Sequence, residues 1–308
     1  REEQFAEAYA RTTLAQNQAP EALRLFQNKG PRAEMPQPVA VRALYYLLWD
    51  RGERDHGLVA LDQAIRKLTE LCHRSWDNST GKYVSAISEA GSDESKMAFR
   101  LSGASDADRS PRPQEAAPPF PKSPAAEALG ELLLFRAEQH AAAGQGDAAR
   151  QDLEAARPLT NPKQWLRTAA RVARCRPNFA EALTFLREWT RRWPFDMEGQ
   201  QFLISVLQET EGRGAVRAYL AQQCQQFPHH YPLHKLRAEF LSNDPEGGGI
   251  EAVQVLLEQS QQDAWAWRQL ALLLAERKRF TEAEQALERA AQLEPNHRWY
   301  YATRVQVL

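Results

Sequence analysis

The 308-residue sequence predicts an all-α fold: a right-handed superhelical solenoid of helix–turn–helix repeats, interrupted by one long irregular insert. The prediction rests on a recurring proline phase, on apolar residues at helical spacing, and on one stretch rich in Gly, Ser, Asp and Pro. Pro162, Pro194, Pro228 and Pro295 are 32, 34 and 67 residues apart, and 67 is close to twice 34. A period of 34 residues is typical of stacked helical hairpins.

Residues 1–75 are predicted to form N-terminal helical hairpins. Phe5 and Tyr9 begin the first hairpin, and Pro20 suits the first turn of its second helix. Two apolar helices follow at Val39–Trp49 and Leu58–Cys72, since their apolar residues recur every three or four positions.

Residues 76–122 form the insert, which has little helical period and ends in a proline-rich run. Its length exceeds the usual connection, so it is either a disordered insert or a functional loop. Ser123 is a good helix N-cap and Pro124 a good first helical residue, which predicts that helices resume there. We expect one helix to about Ala143 and another over Ala148–Arg157.

The repeat pattern is clearest between Ala264 and His297. Its first helix has a face at spacing i, i+3, i+4 and i+7, and its second helix carries small and large residues in alternation before a proline. The positions are Trp267, Leu270, Ala271, Leu274, Ala283, Leu287, Ala290 and Pro295. This order resembles the tetratricopeptide repeat (TPR).

Four copies resemble this repeat, at 163–196, 197–230, 231–263 and 264–297, with the third about three residues out of phase. We therefore predict that 123–308 is a TPR-like array. It would end in a partial capping helix that begins at His297. Because the chain opens with Arg1, we expect a processed product or a fragment of a longer protein.

The TPR resemblance implies a concave groove lined by the first helix of each repeat. Transferring the groove positions of that family residue by residue predicts a partner-binding site. Its candidate residues are Arg167, Arg171, Arg174, Gln201, His234, Trp265 and Arg268.

Three of these residues, Arg167, Arg171 and Arg174, share one helical face. The surrounding segment 163–192 holds eight basic and two acidic residues. Guanidinium groups suit carboxylates and phosphates, which favours a groove for an acidic peptide segment. The alternative is a solvated basic face, because charge stripes often have no ligand. The Lys/Asn set of the carboxylate-clamp TPR proteins is absent.

A second resemblance covers about 39–145. Trp76–Tyr83 follows a long helix, Phe99-Arg100 precedes an Asp-rich stretch, and Ser123–Ala126 opens an apolar helix. This order is similar to the α/α-toroid of thioredoxin-linked proteins related to the N-acylglucosamine epimerases. Its Asp-Gly and Pro-Ser-Asn elements are altered or missing. The resemblance implies a toroid fragment with a carbohydrate-like ligand or a degenerate activity, and it supplies no catalytic residue.

Composition narrows the class of partner and the compartment. The formal net charge is −1, so nothing overall favours nucleic acid or a membrane surface. No apolar run reaches the roughly 18 residues of a membrane span, so we predict no membrane insertion. Three scattered cysteines argue against a disulfide framework and favour a reducing, cytoplasmic location.

The sequence predicts no enzyme, no cofactor and no metal site. It has no phosphate loop, nucleophile elbow or paired Cys-x-x-Cys motif. His230 and His234 have the i, i+4 spacing of metal ligands, but Pro232 lies between them and no third ligand is near. Surface or groove histidines are the simpler interpretation. The predicted function is therefore a protein–protein interaction scaffold, alone or within a larger chain or complex.

Overall fold

The computed structural model of the chain describes residues 19–73, 75–77, 82–84, 123–175 and 177–295. These residues belong to two compact units, 1–178 and 179–308. The boundary falls inside the repeat predicted at 163–196, between its two helices. The predicted division of the chain at 75 and 122 stays a prediction. The predicted helices around Phe5 and after His297, and the part of the insert from 85 to 122, lie outside the described residues.

Unit 1 contains six described helices and one two-stranded hairpin. They are α1 (Ala19–Lys29), α2 (Pro38–Asp50), α3 (Arg54–Cys72), β1 (Ser75–Asp77), β2 (Lys82–Val84), α4 (Pro124–Ala142), α5 (Gly146–Ala156) and α6 (Pro162–Cys175). Each of these helices packs on the next, and α4 also packs on α2 and α6. The helices predicted at Val39–Trp49 and Leu58–Cys72 are therefore confirmed, each with a slightly longer span.

Helix starts in unit 1 follow from local chemistry. The Ser123 hydroxyl accepts a hydrogen bond from the Ala126 N–H at 3.2 Å, so the predicted N-cap of α4 is confirmed. Pro38 and Pro124 occupy the first turns of α2 and α4, where a proline lacks no hydrogen bond that the helix needs.

One arginine joins three helices of unit 1. Arg136 on α4 donates to both carboxylate oxygens of Asp152 on α5, at 2.9 and 2.6 Å. Its remaining terminal nitrogen donates to Asp62 on α3 at 2.7 Å. The Asp152 side chain is only 8% exposed, so this bidentate pair lies largely out of water.

The hairpin of β1 and β2 corrects the prediction of a wholly irregular insert. The strands are antiparallel, with Trp76 opposite Tyr83. Aromatic and β-branched residues favour strands, and Trp76, Tyr83 and Val84 are of these types. The helical period ends at Cys72 because a β-strand begins at Ser75, well before the proline-rich run.

Unit 2 contains seven described helices. They are α7 (Phe179–Arg192), α8 (Met197–Thr210), α9 (Gly212–Gln226), α10 (Tyr231–Ser242), α11 (Gly249–Gln259), α12 (Ala264–Glu276) and α13 (Phe280–Leu293). Each packs on its successor. The last four share one apolar core, in which Val253, Leu256 and Ala271 are fully buried.

The predicted period is visible in the helix starts. Helices α6, α8, α10 and α12 begin at Pro162, Met197, Tyr231 and Ala264, which are 35, 34 and 33 residues apart. Each is followed by a connection of at most six residues and then by a second helix. The described chain is thus all-α apart from β1 and β2, and the predicted class of TPR-like helix–turn–helix repeats is confirmed.

The α7–α8 connection is held by a fully buried tryptophan. The Trp189 indole N–H donates to Asp196 at 2.8 Å, and its ring covers Gly199, where a Cβ would lie 3.0 Å from the ring. Glycine at this helical position allows the close approach. Trp165 is also buried and donates to the Leu153 carbonyl at 2.8 Å, so both tryptophans fill gaps between helices.

The α10–α11 turn is held by a buried carboxylate. Asp244 accepts from Arg213 at 3.3 Å and from Arg217 at 2.6 Å, both on α9. Gly247 and Gly248 follow with φ of 88° and 93°, the left-handed region that glycine adopts without strain. The turn of the third repeat, at 231–263, is therefore tied to α9 of the preceding repeat through Asp244.

Candidate partner-binding surfaces

Trp265 lies at the start of α12 in a fixed environment. Asp263 caps the helix by accepting from the N–H groups of Trp265 and Ala266 at 2.8 and 3.3 Å. Lys235 on α10 lies 4.8 Å above the half-buried Trp265 ring and donates to Asp263 at 3.0 Å. The Tyr231 hydroxyl donates to the same carboxylate. We call these four residues (Tyr231, Lys235, Asp263 and Trp265) the α10–α12 platform.

Within the platform, the Asp263 carboxyl stays ionised to a lower pH than an ordinary aspartate. Burial opposes the charge on Asp263, but the hydrogen bonds from Tyr231 and Lys235 outweigh it, so the pKa of this carboxyl is lowered. Burial and the facing carboxylate raise the pKa of the Tyr231 hydroxyl. Lys235 therefore meets a carboxylate on one side and an aromatic face on the other, an arrangement suited to cation–π contact.

Two further predicted residues of unit 2 occupy different environments. Arg268 is only 15% exposed at its side chain and donates to Glu294 at 2.7 Å, which ties α12 to the end of α13. Gln201 is exposed on α8, whereas its neighbour Gln200 is fully buried. Trp267, one of the repeat positions, is half-buried and donates to the Gln261 carbonyl at 2.9 Å.

His234 lies inside the protein at 7% exposure. Burial and the nearby Arg237 lower the pKa of its imidazole, so the neutral form is favoured. The preceding histidine, His230, stacks on Phe195 with ring centroids 4.4 Å apart. Over the residues that the structure describes, no group of three His, Cys, Asp or Glu side chains is placed to hold a metal.

The predicted arginine stripe lies on α6 in unit 1. Arg167 is half-buried, Arg171 is 38% exposed and lies 3.4 Å from Glu138 on α4, and Arg174 is exposed. The three guanidinium groups therefore differ in accessibility. The stripe belongs to unit 1, whereas the α10–α12 platform belongs to unit 2.

A pocket that the sequence did not indicate lies in unit 2. Its volume is about 520 Å³, within the usual range of ligand sites. It is bounded by α7, α8 and α9, and Arg187, Leu203, Tyr219, Gln222 and Phe227 are among its lining residues. We call it the α7–α9 pocket. Alternating small and glutamine residues on one face of α9 are the only sequence signal that marks it.

An exposed aromatic group stands beside this pocket. Phe195, in the α7–α8 connection, is 55% exposed. Its ring lies 5.1 Å from that of Phe227, a pocket residue, and the two rings meet edge to face. Both aromatics belong to Pro-containing connections that follow the second helix of a repeat, so the 34-residue period brings similar loops together.

No protein-family model matches the chain, and no curated protein matches its sequence. Several solved structures are similar. The C-terminal part of a TPR repeat-containing protein from Cytophaga hutchinsonii is 14% identical, with 96% of this chain and 98% of that chain covered and a TM-score of 0.44. YrrB, a TPR protein with an unusual peptide-binding site, is 15% identical over 56% and 91%, with a TM-score of 0.38.

A third similar structure is a thermophilic TPR protein from Thermus thermophilus. It is 20% identical over 58% of this chain and 96% of that chain, with a TM-score of 0.34. In the part of the chain that the structure describes, no helix is long and apolar enough to cross a membrane. The fold assignment rests on the helices and their period.

Proposed function

We propose that this chain is a non-catalytic scaffold that binds a segment of a partner protein, a peptide or a helix, along the first helices of its hairpins. The observation that carries the proposal is the α10–α12 platform. It presents a large aromatic side chain whose backbone is capped by Asp263 and whose face is covered in part by Lys235. Such an arrangement suits recognition and performs no chemical step by itself.

Binding energy in protein interfaces is concentrated in a few residues, and Trp is enriched among them. A side chain that is already ordered loses little entropy when a partner docks. In Trp265, Lys235 packs over the ring and Asp263 holds the backbone N–H before any partner arrives. Gln201 and Arg268 extend the same proposed surface in unit 2. His234 is buried and supports α10 from within.

In unit 1, the proposal assigns an acidic partner segment to Arg167, Arg171 and Arg174. Arg171 already lies beside Glu138 at 3.4 Å, so it can exchange one carboxylate for another. Arg174 is exposed to solvent, where a carboxylate of a ligand can reach it. Arginine suits this role because its planar donor fork fits carboxylates in a bidentate manner.

The test is a selection of 12-residue peptides, displayed on phage, against the full chain. The best binders are then labelled and their affinities measured by fluorescence anisotropy. We expect two classes of binder, one with an apolar anchor for unit 2 and one with an acidic consensus for unit 1. Trp265→Ala should weaken binding of the first class about 30-fold, the size of a loss of about 2 kcal/mol at an aromatic anchor. Arg167→Glu/Arg171→Glu/Arg174→Glu should weaken binding of the acidic class at least as much.

The control reverses three exposed arginines elsewhere, as Arg66→Glu/Arg150→Glu/Arg277→Glu, and should leave the affinity within about twofold. Circular dichroism must show equal helix content for all variants. If the apolar-anchored peptide binds the Trp265 variant as tightly as wild type, the surface proposed in unit 2 is wrong, and if the acidic peptide binds the stripe variant as tightly as wild type, the site proposed in unit 1 is wrong.

A second candidate function follows from the β1–β2 hairpin, which directly follows α3. A hairpin in this place suits the α/α-toroid interpretation, with a carbohydrate-like ligand for the first half of the chain. A panel of monosaccharides and N-acyl sugars in a thermal-shift assay tests it. No shift at millimolar sugar would exclude this candidate.

The location and assembly of the chain are part of the proposal. A reducing, cytoplasmic compartment suits Cys72, Cys175 and Cys224, which are free thiols. Burial raises the pKa of the Cys72 thiol to about 11, which keeps it protonated and unreactive. The proposed partners are proteins, with no role for nucleic acid or membrane insertion, and the chain acts as part of a larger chain or complex.

A further inference from the structure

The α7–α9 pocket lies between α7 and α9, the second helices of two successive repeats, and over α8. Both α7 and α9 pack on α8, and the buried side chains of Leu203 and Leu207 form the floor between them. On α9, Ala215 and Ala218 line the pocket with the smallest side chains that carry a Cβ. These small side chains therefore leave the gap between α7 and α9 open.

Helix α9 has two distinct faces. Val216, Leu220 and Cys224 are buried in the core. Ala215, Ala218, Tyr219, Gln222 and Gln226 line the pocket at spacing i, i+3, i+4, i+7 and i+11. A stripe of this spacing runs along the whole helix, so it faces the pocket over more than three turns.

The polar groups of the pocket are ready to donate hydrogen bonds. Over the described part of the chain, the side-chain amides of Gln222, Gln223 and Gln226 form no hydrogen bond. Arg187 and Arg191 also line the pocket, but each already holds a glutamate, Glu211 at 3.1 Å and Glu188 at 3.0 Å. The glutamines, and not the arginines, are thus the uncommitted donors.

Aromatic rings stand at the mouth. Phe227 lines the pocket and meets Phe195 edge to face. Phe195 is more than half exposed, and the His230 ring stacks on it. Exposed aromatic surface next to amide donors is the arrangement that recognises polyproline II segments, because prolyl rings pack on aromatic faces.

We propose that the α7–α9 pocket binds a proline-rich segment of a partner protein in the polyproline II conformation. Proline has a carbonyl acceptor and no N–H, and polyproline II has no internal hydrogen bonds, so its carbonyls need external donors. Gln222 and Gln226 supply them, and Phe195, Tyr219 and Phe227 supply ring faces. The carboxylate of Glu211 also lines the pocket and disfavours an acidic segment here.

The test is an anisotropy titration of fluorescein-labelled decaproline with the full chain. Ala218→Leu fills the pocket from an exposed helical position, and leucine is a good helix former, so the fold should be kept. We expect affinity to fall at least tenfold. The matched control, Ala221→Leu, lies on an exposed part of the same helix outside the pocket and should change nothing.

A second pair of variants tests the donors. Gln222→Ala/Gln226→Ala should weaken binding about tenfold, since two neutral hydrogen bonds are lost. Gln225→Ala, outside the pocket, should have no effect. The proposal is overturned if decaproline does not bind, if the pocket variants bind it as wild type does, or if a Glu-rich decapeptide displaces it at equal concentration. The Arg167, Arg171 and Arg174 charge reversal should leave decaproline binding unchanged, which separates this pocket from the groove proposed above.

Discussion

Two adjacent glutamines on α8 provide a direct test of how the helix is oriented. Gln200 is fully buried, donates to the Pro194 carbonyl at 2.8 Å and accepts from the Tyr219 hydroxyl. Gln201 is exposed. Gln200→Ala and Gln201→Ala make the same chemical change one residue apart, so any difference in stability reports the environment and not the residue type.

The size of the effect follows from the two bonds. Gln200→Ala removes both and leaves the Pro194 carbonyl and Tyr219 hydroxyl without this partner. Each loss costs about 1–1.5 kcal/mol, since both sites are only partly buried. We expect Gln200→Ala to lower the free energy of unfolding by about 2–3 kcal/mol. Gln201→Ala should stay within about 0.5 kcal/mol of wild type.

The assay is urea unfolding followed by circular dichroism, with hydrogen exchange read by mass spectrometry over 197–226 to localise the change. Tyr219→Phe completes a double-mutant cycle, and its cost should largely vanish in the Gln200→Ala background because the two side chains share one bond. Equal stability of Gln200→Ala and Gln201→Ala would refute the reasoning, since it would remove the difference in burial on which the estimate depends.

Three further predictions concern other parts of the chain. Arg136→Met should lower the free energy of unfolding, measured in urea, by about 2–4 kcal/mol, because the buried carboxylate of Asp152 loses its partner. The control Arg66→Met, at an exposed position, should leave the free energy of unfolding unchanged. Asp263→Ala should lower the free energy of unfolding by about 1 kcal/mol, because the N-cap of α12 is lost. Folding lowers the pKa of Asp263, so its stabilising contribution is present above the unfolded pKa of about 3.9 and is lost as the pH falls through the folded pKa. The difference in urea midpoint between wild type and variant should therefore shrink in acid. Ellman's reagent should modify the exposed Cys175 before Cys72, and equal rates would contradict the placement of both thiols.

The sequence predicted the helices well because their signals are local. Ser123, Pro124 and the 34-residue recurrence each act within one turn or one hairpin, so the starts of α4, α8 and α12 could be located without tertiary information. The β1–β2 hairpin was missed as structure because strand pairing depends on cross-strand contacts that a helical period does not reveal.

The candidate surfaces were less predictable. Repeat position alone placed His234 and Trp265 on one groove, but packing buries the first and leaves the second half-exposed beside Lys235. The α7–α9 pocket was missed because an empty space between helices has no residue pattern of its own. Alanines such as Ala215 mark it only once the helix faces are known.

The Arg136 contacts have a mechanical consequence. Hairpins that meet only their neighbours can be peeled away one at a time when a chain is pulled from its ends. Arg136 joins Asp62 and Asp152, which lie 74 residues before it and 16 residues after it. Force that reaches α3, α4 or α5 is therefore shared among all three. We expect a single large step in a force–extension record, with Arg136→Met dividing it into smaller steps.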